Sequence, residues 1–418
     1  MKTIYSSPLL SRLCLTVLAL MLCVMTAAAG SETARRVYDV SKLKFDVTTE
    51  ADGNSYTRVN WEGLETAGEP GQPALPVEYI RFLVPVYVKV TDVKVKVLAD
   101  GSKLTAPVIP VQTPVMANST APEAFTAPDA EAYSHSYELR AESVEDGFID
   151  GCNHIITVAV HPLAYDPQSG VYQAASNMVV TLTYEDCNAA DMKSTPIFPP
   201  HQSKYLDLSS LVVNPERATD PSFAPRKKPS ASTPEYYYII TSRKLAPAFA
   251  DLATWKRQKG YTVVVKSIED IYEDDLYRIG ATHYIKDDKG NNKPEEILDS
   301  AMSLRCYLKD QFHLRGHFFC LLGGDWRTPV PIRKGWYGFE NVNNNIYIDN
   351  GENCVPTDNY FSDLTYNYKL SHRFNLNILT YQIYNHAELN SKEDSMSYKP
   401  EISVGRLLCS EKREIENY

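Results

Sequence analysis

The sequence predicts a multidomain fold, an all-β sandwich region followed by an α/β region on a parallel sheet, and three features of its 418 residues carry that expectation. From about Val37 to Val213, short apolar or alternating runs are separated by Pro, Gly, Asn and Asp, the pattern of antiparallel strands with one buried face. After Glu235, strands alternate with helical segments, as they do where crossover helices join parallel strands. Between the two, Pro, Ser, Ala and Thr prevail from Glu216 to Glu235 with no periodic apolar face, which marks a connection.

The first thirty residues stand apart. Lys2 and Arg12 precede an apolar run from Leu13 to Met25 that ends in Ala27, Ala28 and Ala29, the layout of a secretory signal peptide cut after Ala29 to leave Gly30 first. Leu22 immediately before Cys23 is too bulky for lipoprotein processing. The division expected is therefore a signal peptide at 1–29, the β region at 30–216, a linker at 217–234 and the α/β region at 235–418.

In the β region the clearest strands are Ile80 to Val84, Val86 to Val97, Ile155 to His161 and Met178 to Tyr184. Val86, Val88 and Val90 alternate on one phase and Val93, Val95 and Val97 on the other, so a bulge or turn is expected at Thr91 and Asp92. The run from Tyr165 to Gly170 has the residues of a tight reversal. In the linker, Arg226, Lys227 and Lys228 form an exposed basic tract, the candidate site for a processing protease or simply a solvated segment.

The α/β region opens with the apolar strand Tyr236 to Ile240. A helix follows from about Ala246 to Lys259, burying Phe249, Leu252 and Trp255 and closed by Gly260. A strand from Tyr261 to Val265 comes next. A longer helix is expected to begin at Pro294, with Glu295 and Glu296 in its first turn, and to run through Leu308. His317 to Leu322 and Glu401 to Arg406 read as further strands, with Ser410 capping the last helix.

Composition narrows the function classes. A net charge of -10 leaves no basic footprint for nucleic acid, and no Lys/Arg-rich helix points to a membrane surface after signal removal. Of eight cysteines, Cys14 and Cys23 fall in the leader; Cys152, Cys187, Cys306, Cys320, Cys354 and Cys409 are too widely spread for a stapled scaffold, and no CxxC pair suggests zinc. No phosphate loop, HExxH helix or GxSxG elbow is present.

A thiol nucleophile needs a neighbouring histidine and oxyanion donors at the carboxyl ends of parallel strands. Gly316 and His317 with Cys320 superficially offer this, but His317 opens its strand and Cys320 lies in the middle, so both read as structural. Cys354, in a polar loop, is the runner-up without a nearby histidine. Cys306 and Cys409 read as packing, and His283 and His313 as isolated surface residues. Asp325, Asp358 and Asp363 fall in loops after strands, where they could shape a cleft or hold calcium as a structural ion, while Asp325 and Asp358 could instead simply bond loop backbone. No other cofactor or metal is expected.

Several stretches together resemble the gingipain family of cysteine peptidases and their propeptides. Gly68 to Pro76 (GEPGQPALP) and Val160 to Tyr165 (VHPLAY) are similar to the propeptide. Tyr238 to Ser242 (YIITS), Trp255 to Tyr261 (WKRQKGY), Leu321 to Trp326 (LLGGDW) with Pro329 and Pro331, Pro356 to Tyr360 (PTDNY) and Ile402 to Leu407 (ISVGRL) are similar to the peptidase domain, in order. The resemblance implies a caspase-like fold and an exported endopeptidase acting on proteins or peptides. It is made inactive by a β-sandwich propeptide that binds its own or a related peptidase domain. It also implies that the catalytic His and Cys lie in a second α/β half, beyond Tyr418. The expectation is a precursor portion without its catalytic half. The alternative is a non-catalytic product whose propeptide region inhibits a peptidase in trans. A half-built sheet, with apolar surface left open, speaks for the portion. An adhesive surface protein would need repeated β modules, and none is visible.

Overall fold

A computed structural model describes residues 29–113, 124–192, 194–286, 292–336, 341–342, 345–346, 354–366 and 400–417. The segment before Ala29, read above as a signal peptide, lies outside them; Ala29 and Gly30 open strand β1.

The β region contains β1 (Ala29–Val37), β2 (Leu43–Thr49), β3 (Ser55–Trp61), β4 (Glu65–Ala67), β5 (Leu75–Val84), β6 (Val88–Lys103), β7 (Arg140–Ile149), β8 (Asn153–His161), β9 (Leu163–Asp166) and β10 (Val171–Asp186). Two antiparallel sheets result, β1-β10-β6 with β9 also on β10, and β4-β5-β8-β7, beside the β2-β3 hairpin. Their inward side chains share one core: Met178, Val180 and Leu182 from the first sheet meet Phe82, Ile156 and Val158 from the second. Alternation supplies these residues because every second side chain of a strand faces the same way. The switch of valine phase in β6 is a bulge: Asp92 pairs with Thr183 and Val90 with Tyr184, so Thr91 has no partner position. In the β9–β10 turn, Asp166 accepts from the Gln168 backbone at 3.1 Å and from Ser169 Oγ at 2.5 Å.

The segment read as a free linker is only partly so. Phe223 and Ala224 are buried against Leu83, Ile149, Leu208 and Val212. The aromatic ring has an apolar site to enter although its flanks carry no periodicity.

The α/β region is built on β11 (Tyr236–Thr241), β12 (Thr262–Ser267), β15 (Phe318–Gly323) and β20 (Ser403–Leu407), all parallel in the order β12-β11-β15-β20. Small antiparallel pairs accompany it: β13 (Thr282–Lys286) with β14 (Asn292–Glu296), β16 (Arg333–Trp336) with β19 (Cys354–Thr357), and β17 (Asn341–Val342) with β18 (Asn345–Ile346). The helices are α1 (Ala250–Gln258), α2 (Ile268–Tyr272), α3 (Ser300–Arg315), α4 (Asn359–Ser362) and α5 (Lys412–Glu416). One sheet face, with Tyr238, Ile240, Phe318, Cys320 and Leu322, packs on Leu304, Leu308 and Phe312 of α3. The other, with Ile239 and Leu407, packs on Phe249, Ala253 and Ile415.

Three expectations are corrected here. Pro294 does not start a helix: it stands in β14 opposite Tyr284, and Asp299 caps α3 instead, accepting from Met302 N at 2.8 Å. Trp255 is 49% exposed, because Phe249 and Ala253 already fill the stripe facing the sheet, and its ring lies beside the ammonium groups of Lys256 and Lys259. Glu411, rather than Ser410, caps α5 in a capping box with Glu414, while Ser410 N donates to Glu414.

A strap from Ser194 to Ser203 joins the two regions. Its outer side hydrogen-bonds the α/β part, Thr195 N to Thr365 O at 2.8 Å, and its inner side the turn between β7 and β8, Ile197 N to Gly151 O at 2.8 Å. Gly151 has φ +83, and a Cβ there would stand 2.3 Å from Ile197 O and 2.6 Å from Phe312 Cε1. The close approach of the turn to α3 therefore requires glycine.

Candidate functional site

The first strand of the α/β sheet lies inside it, with β12 on one side and β15 on the other. The crevice past the carboxyl ends of β11 and β15 is the switch point at which such sheets bind ligands. The loops there are organised by one guanidinium. Arg406, at the end of β20, donates to Gly324 O at 3.1 Å, to Pro331 O at 2.8 Å and to both carboxylate oxygens of Asp358, the shortest contact being 2.7 Å. Residues far apart in sequence are thereby fixed to one another by charge-assisted bonds.

The three loop carboxylates are all engaged. Asp325 accepts from its own loop, Arg327 N at 2.8 Å, and from the Arg327 side chain, which holds its carboxyl below the usual range despite burial. Asp358 takes Arg406. Asp363, fully buried, accepts from Tyr366 N at 3.2 Å, and its carbonyl receives Arg305. Backbone bonding at Asp325 is the Asx role expected of it; Asp358, for which the same role was expected, instead pairs with Arg406, which was not legible because 48 residues separate them.

Four of the described thiols are held protonated by their surroundings. Burial pushes Cys306 up to about 12, Cys187 and Cys409 up to about 11, and Cys320 further still. Cys320 belongs to the core against α3, whereas the His317 ring stacks edge-on with Tyr205 and Phe319 on the opposite sheet face. Three residues apart on one strand, the two side chains point to opposite faces, so they form no dyad. His317 touches Ser403 Oγ at 3.1 Å, and burial lowers it to about 4. The side chain of Cys354 lies outside the described residues. Of the two histidines read as surface residues, His283 is the error: it is 5% exposed and its Nε2 lies 3.0 Å from Asp310 Oδ1. His283, Glu295 and Cys306 also form the one group of potential metal ligands found among the described residues. Their spacing in sequence follows no metal motif, and the misassigned helix start hid the strand pairing that brings them together.

A cavity of about 530 Å³ lies where the strap meets both regions, lined by Asp150, Tyr205, His317, Glu401 and Ser403 among others. Asp150 accepts from Ser203 N at 2.5 Å, yet burial raises its carboxyl to about 7. Glu401 accepts from Leu364 N at 2.7 Å and is also pushed up, by burial first and by the nearby Asp363 second. Both acids bind protons more tightly folded than unfolded. Their contribution is therefore favourable at low pH and is lost as pH rises from the ordinary carboxylate range through the folded values. In urea titrations from pH 5 to 8, Asp150→Asn and Glu401→Gln should each flatten the fall in stability seen with the parent chain; parallel pH profiles would refute this.

An α/β sheet with its loops tied at the switch point defines a site of the kind used by hydrolases and by many other enzymes, and the comparisons narrow the class. Over its C-terminal part the chain is similar to one family: the sequence model of Peptidase family C25 matches residues 230–418. Two solved structures are similar. A complex of the Porphyromonas gingivalis RgpB pro- and mature domains shows 15% identity and a TM-score of 0.34, covering 46% of this chain and 96% of that one. A structure addressing the zymogenic latency of gingipain K from Porphyromonas gingivalis shows 19% identity and a TM-score of 0.30, covering 40% and 96%. No curated protein matches the chain.

Proposed function

We propose that the chain is the front portion of an exported cysteine endopeptidase precursor. Residues 30–216 serve as a β-sandwich propeptide that keeps the peptidase latent, and residues 235–418 form the first α/β subdomain of the peptidase. The observation that carries this reading is the family match over 230–418. Three features support it. The two antiparallel sheets share one core. The strap and Gly151 hold the β region against α3. His317 and Cys320 point to opposite faces of the sheet and form no dyad, which agrees with a catalytic pair contributed from outside the chain.

In this reading the signal peptide is removed between Ala29 and Gly30, and the product acts in the periplasm, at the cell surface or outside the cell. Processing falls at Arg226, Lys227 and Lys228. Arg226 Nε donates to Pro199 O at 2.8 Å with its guanidinium over Phe198, and Lys227 O accepts from Gln202 N at 3.0 Å, while Lys228 is exposed. A protease must peel this tract from the strap before cutting it, because cleavage needs an extended segment. Its partners are then peptide substrates of the completed enzyme and the peptidase domain bound by the propeptide. Asp325, Asp358 and Asp363 sit in the loops proposed to border the cleft, where calcium would be a structural ion.

The test is hydrolysis of Arg- and Lys-terminated fluorogenic peptides under reducing conditions. The chain should be inactive alone and should inhibit a full-length relative added in trans. Thiol-dependent activity lost in Cys320→Ala or Cys354→Ala would place the dyad within this chain and overturn the reading.

A further inference from the structure

His283 and Glu295 are directly opposed across the β13–β14 ribbon, and Cys306 of α3 faces them. One imidazole nitrogen, one carboxylate oxygen and the thiol sulfur lie within 4.8 Å of one another. We propose that this trio is a binding site for a borderline-soft divalent cation of the zinc class, which would clamp the ribbon onto α3.

The donor set is the argument for the metal class: imidazole, thiolate and carboxylate together suit zinc, whereas calcium and magnesium take oxygen alone. The second shell is in place. Asp310 Oδ1 lies 3.0 Å from His283 Nε2, and the same carboxylate receives the Tyr277 hydroxyl at 2.7 Å on Oδ2. Such a carboxylate fixes the ring and leaves its other nitrogen, Nδ1, for the ion. A cavity of about 200 Å³ bordered by His283, Glu295, Lys293, Lys309 and Thr195 gives access and room for water in a fourth position. On binding, the Cys306 thiol gives up its proton to solvent and its sulfur takes the cation.

Three cations oppose the ion. Lys309 Nζ holds Glu295 Oε2 at 2.9 Å, so the metal must use Oε1 or displace the ammonium, and the charges of Lys293 and Arg305 nearby weaken the site further. Occupancy therefore depends on the metal available.

The full chain, reduced and stripped of metal, would be titrated with Co²⁺ while its sulfur-to-cobalt charge-transfer absorption is followed, with Zn²⁺ as competitor. The band is expected at one equivalent, to vanish in Cys306→Ala and to persist in Cys320→Ala. Affinity should fall about 10- to 100-fold in Asp310→Asn and rise about tenfold in Lys309→Met. Zn²⁺ should also shield Cys306 of the unaltered chain from alkylation, read by mass spectrometry, which needs no variant to fold. Absence of both the band and the protection in a chain that circular dichroism shows to be folded, or a band that survives Cys306→Ala, would overturn the proposal.

Discussion

Replacing Arg406 with alanine should lower the unfolding free energy by about 3 kcal/mol, read as a fall in urea midpoint at unchanged slope. The side chain is 9% exposed and its five bonds end on three separate segments. Its loss strands the Asp358 carboxylate and leaves the carbonyls of Gly324 and Pro331 without this donor, and unmet buried acceptors cost more than the bonds themselves return. Arg406→Lys should recover only a minor part, because an ammonium cannot reproduce the planar fork. A substitution by alanine that shifts the midpoint no more than a surface change would show that the loops at the switch point are held by something else.

Gly151→Ala should be nearly as damaging, about 3 kcal/mol, for a different reason. The left-handed backbone costs an alanine about 1–2 kcal/mol, and the new methyl would press into the Ile197 carbonyl and the Phe312 ring, overpacking worth about 1–3 kcal/mol more. Gly63 is the control: its φ is +88 but nothing lies within 4 Å of a Cβ, so Gly63→Ala should show only the backbone cost. Limited trypsin digestion distinguishes the two. Gly151→Ala should speed cleavage near Arg226 by loosening the strap, whereas Gly63→Ala should not; equal digestion rates would mean that the β7–β8 turn does not govern the contact between the regions.

Much of the architecture was legible because it rests on local alternation. The valine phases of β6 placed its bulge at Thr91, and Tyr236 to Ile240 announced the central parallel strand. The failures have a common cause in long-range packing. Trp255 reads as core, yet whether a helical face is buried depends on which residues reach the sheet first, and Phe249 and Ala253 do. Pro294 reads as a helix start because the pairing of β14 with β13 leaves no local mark. Phe223 reads as linker because its pocket is built by Leu83 and Leu208, far away in the chain. At the candidate site, the positions of the loops were readable from the ends of the strands, but their tie through Arg406 was not. That His317 and Cys320 form no dyad was readable from their places at the amino end and in the middle of one strand.

The pairing of β1 has a consequence for the order of folding. Ala29 lies against Glu185 and Val37 against Asn177, so the first strand of its region closes only onto the last, β10. Until the chain as far as Asp186 is present, β1 has no partner in its sheet, and its two unmatched edges must be kept from other chains. Non-local pairing of this kind is also slow. On the proposal that a leader is cut after Ala29, the enzyme that cuts it would meet extended, unpaired backbone for as long as β10 is missing, so topology alone would place that cut before completion of the sheet.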